Sequence, residues 1–451
     1  MDSLALTAAG ALPLGMSTVV TVSVARYLHA DEAERAALRK AWRIRSTWRR
    51  TALRCGLYQA DNAAKVGAEV PLSGELRRGR EKVLLPRIRV SLAAGGIKVS
   101  VKTVGRVGVD AFEKAADDLA NAWRVRYVMV TPGRPGWVTL RVTLRDGLKA
   151  STTMTVSPDA AVDPRIWALG HSREFEPVTV RTADVSGITI GGLSGKGKTS
   201  LMLGRFCQLA PSPAVQFALI DGKGYELEDL AARAYLHCGS SVTDAHAIVG
   251  DVHALMARRK DEIRRVLRRK NFWAGPILPA WPLVVLIMDE AHTFLFESKL
   301  KDPANQERDR LVRDLIWMCD DLVRMGRTLG IQSYFLTQKP TGEAIPTKIR
   351  DNCQIAMSFA QRSSEAARAA LGDDILDYPH AHPRRLQDPA YTGVVSVLAD
   401  GRPGYTLVRT PYTRDQDAAT LAEATAHLVA DPNDLLTKQI NAARPLADHT
   451  A

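Results

Sequence analysis

Cysteine is scarce and scattered in this chain. The five thiols, Cys55, Cys207, Cys238, Cys319 and Cys353, are odd in number and never fall at C-x-x-C spacing. That leaves no disulfide framework and no cysteine-built metal site, and it points to a reducing compartment. No internal repeat or low-complexity tract is visible. Acidic residues are outnumbered, 49 against 61 Lys and Arg, for a net charge of +12. A basic excess of this size fits a polyanionic partner, either nucleic acid or an anionic membrane face. Charge is missing altogether from Leu4 to Ala25, a stretch long enough to span a bilayer. Gly10, Pro13, Gly15 and several Ser and Thr residues weaken that span, and acidic Asp2 ahead of it does not make a signal-peptide n-region. Residues 1–29 therefore read as an apolar leader, either membrane-associating, disordered or packed on the protein surface. If it inserted, its basic flank would keep the rest of the chain on the cytoplasmic side. At 451 residues the chain exceeds what one core usually serves, so two or three domains are expected.

The run ITIGGLSGKGKTSLM, Ile188 to Met202, carries the most chemistry. It holds G-x-x-x-x-G-K-T as Gly192, Gly197, Lys198 and Thr199, with a β-branched stretch before it and a helix-compatible stretch after it. That context suits a phosphate-binding loop: backbone N–H groups curl around the phosphates and the helix N-terminus adds partial positive charge. The cradle spans Gly192, Leu193, Ser194, Gly195, Lys196, Gly197, Lys198, Thr199 and Ser200. Lys198 is placed to reach the terminal phosphates of ATP, and the Thr199 hydroxyl to hold Mg²⁺. Downstream, WPLVVLIMDEAH (Trp281 to His292) gives six apolar residues in a row and then Asp289-Glu290. Such a run suits a strand buried on both faces of a parallel sheet, with its carboxylates emerging where ligands sit. Asp289 is the candidate metal ligand and Glu290 the residue that polarises the attacking water.

Five segments follow along the chain. After the leader, residues 30–82 form a basic helical segment in which Trp42 and Trp48 interleave with Arg43, Arg45, Arg49 and Arg50. That pattern suits either nucleic-acid contact or a solvated basic face whose tryptophans pack inward. The segment ends in the basic cluster Arg77, Arg78 and Arg80. Residues 83–150 read as a small α/β module of period-two strands around one helix, Asp110 to Trp123, suited to docking or oligomerisation. Residues 151–413 read as the nucleotide domain. There a helix from Asp244 to Arg269 carries an apolar stripe and an outer face rich in Arg258, Arg259, Lys260, Arg264, Arg265 and Arg268. GIQSYFLTQKP, Gly330 to Pro340, is another buried strand ending in polar Thr337-Gln338, where a side chain can sense the γ-phosphate. Residues 414–451 are a helical and polar tail.

The order of these pieces resembles the FtsK/SpoIIIE family of DNA-translocating ATPases, and within it the TraB-like conjugative-transfer proteins of actinobacterial plasmids and integrative elements. The matching blocks are GGLSGKGKTS (191–200), ALIDGKGYEL (218–227), the basic helix HALMARRKDEIRR, the VVLIMDEAH strand, and MGRTLGIQSYFLTQKPTGEAIPTKIRDNCQIAMSF (325–359). The resemblance covers roughly residues 165 to 410. It implies a RecA-like P-loop ATPase domain, ATP and Mg²⁺ as cofactors, and a homo-hexameric ring around double-stranded DNA. It also implies Gln338 as the γ-phosphate sensor, and an arginine acting on a neighbouring subunit, with Arg350 and Arg362 best placed and Arg368 third. Two departures stand out: Gly222 stands where the family usually has proline, and the winged-helix module of many relatives has no counterpart. The implied function is ATP-driven duplex-DNA translocation in conjugative transfer. The implied location is the cytoplasm, at the inner face of the membrane, beside other plasmid-encoded transfer proteins. Protein secretion by the same kind of motor, and an ATP switch on DNA without translocation, stay open as alternatives.

Overall fold

Alternation of apolar and polar residues builds the first of two units. The computed structural model describes residues 27, 30–61, 82–160, 162–298, 300, 302–338 and 344–443, and these divide between Asp146 and Gly147. The leader apart from Tyr27, the Arg77–Arg80 cluster, Lys339-Pro340 and residues 444–451 lie outside the described residues. In the first unit, α1 (Glu32–Arg54) is capped by Asp31, whose carboxylate accepts the Glu34 N–H at 2.7 Å. A short antiparallel pair follows, β1 (Gln59–Asp61) with β2 (Lys82–Leu84). Then come β3 (Arg87–Ala93), β4 (Gly96–Lys102), α2 (Val109–Lys114), α3 (Ala116–Trp123), β5 (Tyr127–Pro132) and β6 (Trp137–Thr143). The last four strands pair antiparallel in the order β3-β4-β6-β5. Ile97, Val99, Val101, Val138, Leu140 and Val142 form a core with Ile44, Trp48, Phe112, Leu119 and Trp123 from the helices. Each such side chain contributes roughly 1.5–3 kcal/mol by leaving water.

Two expectations change here. The basic helix belongs to the same core as the small module: Ala41, Ile44, Trp48 and Ala52 recur at helical spacing and are buried in it. Trp48 is inside, its indole N–H donating to Pro86 O at 2.6 Å, whereas Trp42 is 44% exposed and stacks on Tyr27. The helix read as continuous from Asp110 to Trp123 breaks at Ala115 (φ −90, ψ 2). Phe112 and Ala115 on one side of that break and Leu119 and Trp123 on the other all reach the core.

The second unit holds a ten-stranded mixed sheet. Its elements are β7 (Ile166–His171), β8 (Pro177–Arg181), β9 (Gly187–Gly191), α4 (Lys198–Leu209), β10 (Val215–Asp221), β11 (Ala234–Cys238), α5 (Val242–Val266), β12 (Leu283–Asp289) and α6 (His292–Leu295). These are followed by α7 (Pro303–Met325), β13 (Ile331–Thr337), α8 (Thr347–Arg350), β14 (Ile355–Ser358), α9 (Ser364–Leu371), β15 (Val394–Leu398), β16 (Tyr405–Arg409), α10 (Asp415–Ala424) and α11 (Pro432–Ala443). The strand order is β11-β10-β12-β13-β9-β14-β15-β16-β7-β8. The first six strands run parallel and the rest pair antiparallel. Every residue of β9, β10, β12 and β13 is buried, as their continuous apolar runs require of a sheet covered on both faces. This is the α/β architecture of a P-loop domain, with β13 inserted between the phosphate-loop strand and the acidic strand.

Packing also corrects the reading of the α5 arginines. Arg259 is not on the outer face: it is 1% exposed, and its guanidinium donates to Leu329 O and Gly330 O at 3.0 Å and to Pro282 O at 2.8 Å. It also lies over the Trp281 ring. Three carbonyls and an aromatic face make a fully buried cation tolerable. Arg258 donates to Asn433 Oδ1 (2.8 Å) and Thr437 Oγ1 (2.7 Å) of α11. The tail helices are thus part of this unit's core, with Ala418, Leu421, Ala422 and Leu436 inside it.

Candidate functional site

The site lies at the carboxyl ends of β9, β13, β12 and β10, where a parallel sheet offers its ligand crevice. From the end of β9 the chain bends through Gly192 (φ +149), Gly195 (φ +68) and Gly197 (φ +112) before α4 begins at Lys198. A Cβ at Gly192 would sit 2.6 Å from Phe359 Cβ, so backbone passes here where no side chain fits. The loop is moored from outside. Leu193 N–H donates to Ala360 O (3.0 Å), Gly393 N–H to Lys196 O (3.0 Å), and Lys196 Nζ to Gln387 O (2.7 Å). Ser200 Oγ accepts the Thr413 N–H at 2.9 Å, which ties α4 to the chain after β16.

Lys198 folds back over the loop, its Nζ donating to Gly192 O at 2.7 Å and Leu193 O at 3.1 Å. Burial lowers its pKa to about 8, and the nearby Lys223 pushes the same way against Glu290, Asp289 and Glu226. The Thr199 hydroxyl donates to Glu226 Oε2 at 2.6 Å, and Lys223 Nζ reaches Glu226 Oε1 at 2.5 Å. Asp289 ends β12 almost wholly buried. Its Oδ2 accepts no hydrogen bond, and Lys223 Nζ stands 3.7 Å away. Burial raises its pKa to about 6; Lys223 opposes that, while Glu226, Glu290 and Asp221 reinforce it. Next to it, Glu290 holds a left-handed backbone (φ +45) that a non-glycine residue adopts only at a cost. Its Oε1 accepts the Gln338 N–H at 3.4 Å.

The strand order brings Lys198, Thr199, Asp289, Glu290 and Gln338 together, because β13 carries Gln338 between the other two strand ends. Lys223 and Glu226 join them and were not singled out from the sequence. They sit in the turn after β10, shaped by Asp221, whose carboxylate accepts the N–H groups of Lys223 (3.0 Å), Gly224 (3.0 Å) and Leu227 (2.8 Å). The K-x-x-E spacing directly after an acidic strand end was the available signal. Gly222 is accounted for by close approach: its N–H donates to Asp289 O at 3.1 Å, and a Cβ would lie 2.7 Å from that oxygen. Proline could not make this bond.

The arginines divide. Arg350 is half-buried and lines a small cavity with Gly191 and Thr337 of its own chain. Arg362 is exposed. Arg368 is exposed and paired with Asp373 at 2.7 Å. Among the described residues no group of three or more His, Cys, Asp or Glu is placed to hold a metal by itself. A single buried carboxylate oxygen that accepts no hydrogen bond, beside a phosphate loop, suits Mg²⁺, which usually shares its shell with substrate phosphates and water. Among the described residues no helix is long and apolar enough to cross a membrane.

Residues 36–144 match the family "Actinomycete conjugal transfer protein N-terminal domain". A "Sporulation regulatory protein" of Streptomyces azureus is 26% identical over 243 residues, covering 53% of this chain and 76% of that protein. "DNA translocase FtsK" of Staphylococcus aureus is 24% identical over 221 residues, covering 45% of this chain and 26% of that protein. The chain thus spans about three quarters of the first relative and about a quarter of the second. Among solved structures, the pCW3 conjugation coupling protein TcpA with ATPγS aligns over 79% of this chain and 94% of its own, at 14% identity and a TM-score of 0.49. The type VII secretion ATPase EccC of Thermomonospora curvata aligns over 62% and 35%, at 17% identity and a TM-score of 0.45. The chain is similar to FtsK/SpoIIIE-like proteins, and the stretch that matches the conjugal-transfer family precedes its P-loop unit in the sequence.

Proposed function

We propose that this chain is an ATPase that translocates double-stranded DNA during conjugative transfer of a plasmid or integrative element. The observation that carries the catalytic part is the facing of Lys198 and Thr199, on a glycine-built loop, against Asp289 and Glu290 across the Gln338 strand end. In this reading residues 151–413 are the motor. Residues 192–200 cradle the phosphates of ATP, and Lys198 leaves the Gly192 and Leu193 carbonyls to neutralise the terminal phosphate charge. Thr199 and Asp289 would hold Mg²⁺, which when bound neutralises charge on the β- and γ-phosphates. Glu290 orients and polarises the attacking water, and its fixed backbone sets the direction of the carboxylate. Gln338, whose N–H meets Glu290, senses the γ-phosphate and passes that state to β13.

An arginine from a neighbouring copy completes the site in a homo-hexameric ring. Arg362 suits that role best, being exposed and in no ion pair among the described residues, while Arg350 sits against its own strand ends. The matched conjugal-transfer domain and the FtsK relative support DNA as cargo, and action in the cytoplasm is part of the same proposal. Peripheral association with the inner membrane face and contact with other transfer proteins complete the proposal.

The test is ATP hydrolysis by the purified protein with duplex DNA, single strands or no DNA, with Lys198→Ala as control. Stimulation by duplex that the variant lacks supports the motor. Equal, low hydrolysis in all three conditions refutes it and directs the search to a protein cargo or an assembly switch.

A further inference from the structure

Lys223 is a cation to which the hydrolytic reading gives no task. It stands in the turn after β10, between Gly222 and Gly224, and its ammonium meets two carboxylates. Its Nζ lies 2.5 Å from Glu226 Oε1 and 3.7 Å from Asp289 Oδ2. The other oxygen of Glu226, Oε2, accepts the Thr199 hydroxyl at 2.6 Å. One ammonium therefore joins the two residues proposed for Mg²⁺: Asp289 directly, and Thr199 through Glu226. The contact with Asp289 is an ion pair without a hydrogen bond, since 3.7 Å is too long for one and Oδ2 accepts none. Asp221, Glu226 and Glu290 add negative charge around that oxygen, and Lys223 opposes them. Lys198 directs its hydrogen bonds to the Gly192 and Leu193 carbonyls instead. The two partners differ in freedom. The Asp289 side chain is 3% exposed at a strand end, whereas that of Lys223 is 19% exposed on a flexible four-carbon stem. Lys223 can leave; Asp289 cannot.

We propose that Lys223 is a tethered stand-in for the divalent cation: its ammonium holds Asp289, Glu226 and Thr199 in place before nucleotide binds, and moves out toward solvent when Mg²⁺ enters with ATP. The inference rests on the ATPase reading above and adds a residue that decides when the metal is admitted. A second cation at the same carboxylate oxygen meets the repulsion of the first, so ammonium and metal compete for Asp289. The Thr199 hydroxyl gives its proton to Glu226, which leaves its oxygen lone pairs for a metal once the ammonium has gone. Bare Mg²⁺ gains one carboxylate and one hydroxyl by displacing Lys223, whereas Mg²⁺ on ATP brings phosphate oxygens into the same shell. Lys223 thereby disfavours the bare ion and leaves the nucleotide-bound ion favoured. An ion pair that only stiffened the turn would make no such distinction, because it would stay closed with and without metal.

The test uses the full chain and Mn²⁺, which takes the same oxygen ligands as Mg²⁺ and whose free form is read by electron paramagnetic resonance. Without nucleotide, Lys223→Met is expected to bind Mn²⁺ at least about tenfold more tightly than wild type, as removal of a competing charge requires. Lys223→Met/Asp289→Asn is expected to lose that gain. Thermal unfolding checks that both variants are folded. Equal Mn²⁺ affinity in wild type and folded Lys223→Met, or a gain that survives Asp289→Asn, overturns the proposal. A second measurement needs no variant and decides the matter if Lys223→Met does not fold. Acetylation of wild-type lysines, followed by mass spectrometry, should label Lys223 several-fold faster with Mg²⁺ and ATPγS than without ligands. ATPγS with a chelator should leave the labelling slow. Unchanged or slower labelling of Lys223 in protein that binds Mg²⁺ and ATPγS overturns the stand-in while leaving the ATPase reading in place. A wild type that binds no ATPγS with Mg²⁺ removes the premise and the inference together.

Discussion

Glu290 is where the fold works against itself, and that can be measured. Its φ of +45 puts a side-chain-bearing residue in the left-handed region, at a cost of about 1–2 kcal/mol. Glycine would sit there without that penalty, but it gives up roughly 0.5–1 kcal/mol of additional chain entropy on folding. Comparing Glu290→Gly with Glu290→Ala cancels the loss of the carboxylate and of the long 3.4 Å contact from the Gln338 N–H. The glycine variant is then expected to be more stable by about 1 kcal/mol, near 2 °C in the unfolding midpoint of a domain this large. Both variants, and Glu290→Gln, are expected to lose hydrolysis by about 10²–10⁴-fold, with nucleotide affinity within a few-fold of wild type. Differential scanning fluorimetry with saturating and zero nucleotide, alongside a phosphate-release assay, reads both quantities. A glycine variant no more stable than the alanine variant would refute the strain argument. Hydrolysis at the wild-type rate in Glu290→Gln would refute the assignment of the carboxylate.

Three further outcomes follow from the same geometry. Lys198 holds its proton only to about pH 8, and phosphate binding favours its charged form. Affinity for a fluorescent ATP analogue should therefore be constant below pH 7.5 and fall about tenfold per unit above pH 8; a flat profile to pH 9.5 contradicts the burial of that amine. Glu226 accepts the Thr199 hydroxyl and pairs with Lys223. Glu226→Gln keeps the shape, removes one negative charge beside the expected metal position, and should raise the Mg²⁺ concentration for half-maximal hydrolysis several-fold; an unchanged titration excludes the residue from the site. If Arg362 acts on a neighbour, mixing inactive Arg362→Ala with inactive Glu290→Gln protein should restore hydrolysis. Arg368→Ala, which breaks only an exposed pair with Asp373, should stay within about twofold of wild type. No recovery on mixing would return the role to Arg350.

The site was legible where chemistry is written in consecutive residues. The phosphate loop and the Asp289-Glu290 strand end are each contiguous, and their strand context follows from uninterrupted apolar runs. What escaped were contacts made by topology. Lys223 and Glu226 reach Asp289 and Thr199 only because β10 pairs with β12 in register, Asp221 beside Asp289. Strands β7 and β8 alternate only over Trp167, Leu169, Val178 and Val180, and β14 has four residues, so none of the three stands out from the loops around it. The α5 arginines were placed outward by their charge, although helical spacing puts Arg259 on the buried stripe with Val252, Leu255 and Ile263. Carbonyls from Pro282, Leu329 and Gly330, all distant in sequence, satisfy its guanidinium there. The same limit applied to Trp42 and Trp48, since interleaving with arginines does not tell which ring lies on the core-facing stripe.

Nucleotide and duplex make opposite electrostatic demands, and ionic strength separates them. At the nucleotide site the charges are buried: Lys198 is 5% exposed and Asp289 2%, so salt screens them weakly. Contacts to a DNA backbone are made from cations in water, where screening acts over a Debye length of about 10 Å at 0.1 M. If DNA raises the hydrolysis rate through such contacts, raising salt from 50 to 300 mM should abolish the stimulation while leaving DNA-free hydrolysis nearly constant. The concentration of duplex needed for half-stimulation should climb with the same slope as direct duplex binding. Were basal and stimulated rates to fall together, salt would be acting on the nucleotide site or on subunit assembly, and the separation of DNA contacts from the nucleotide site would be wrong.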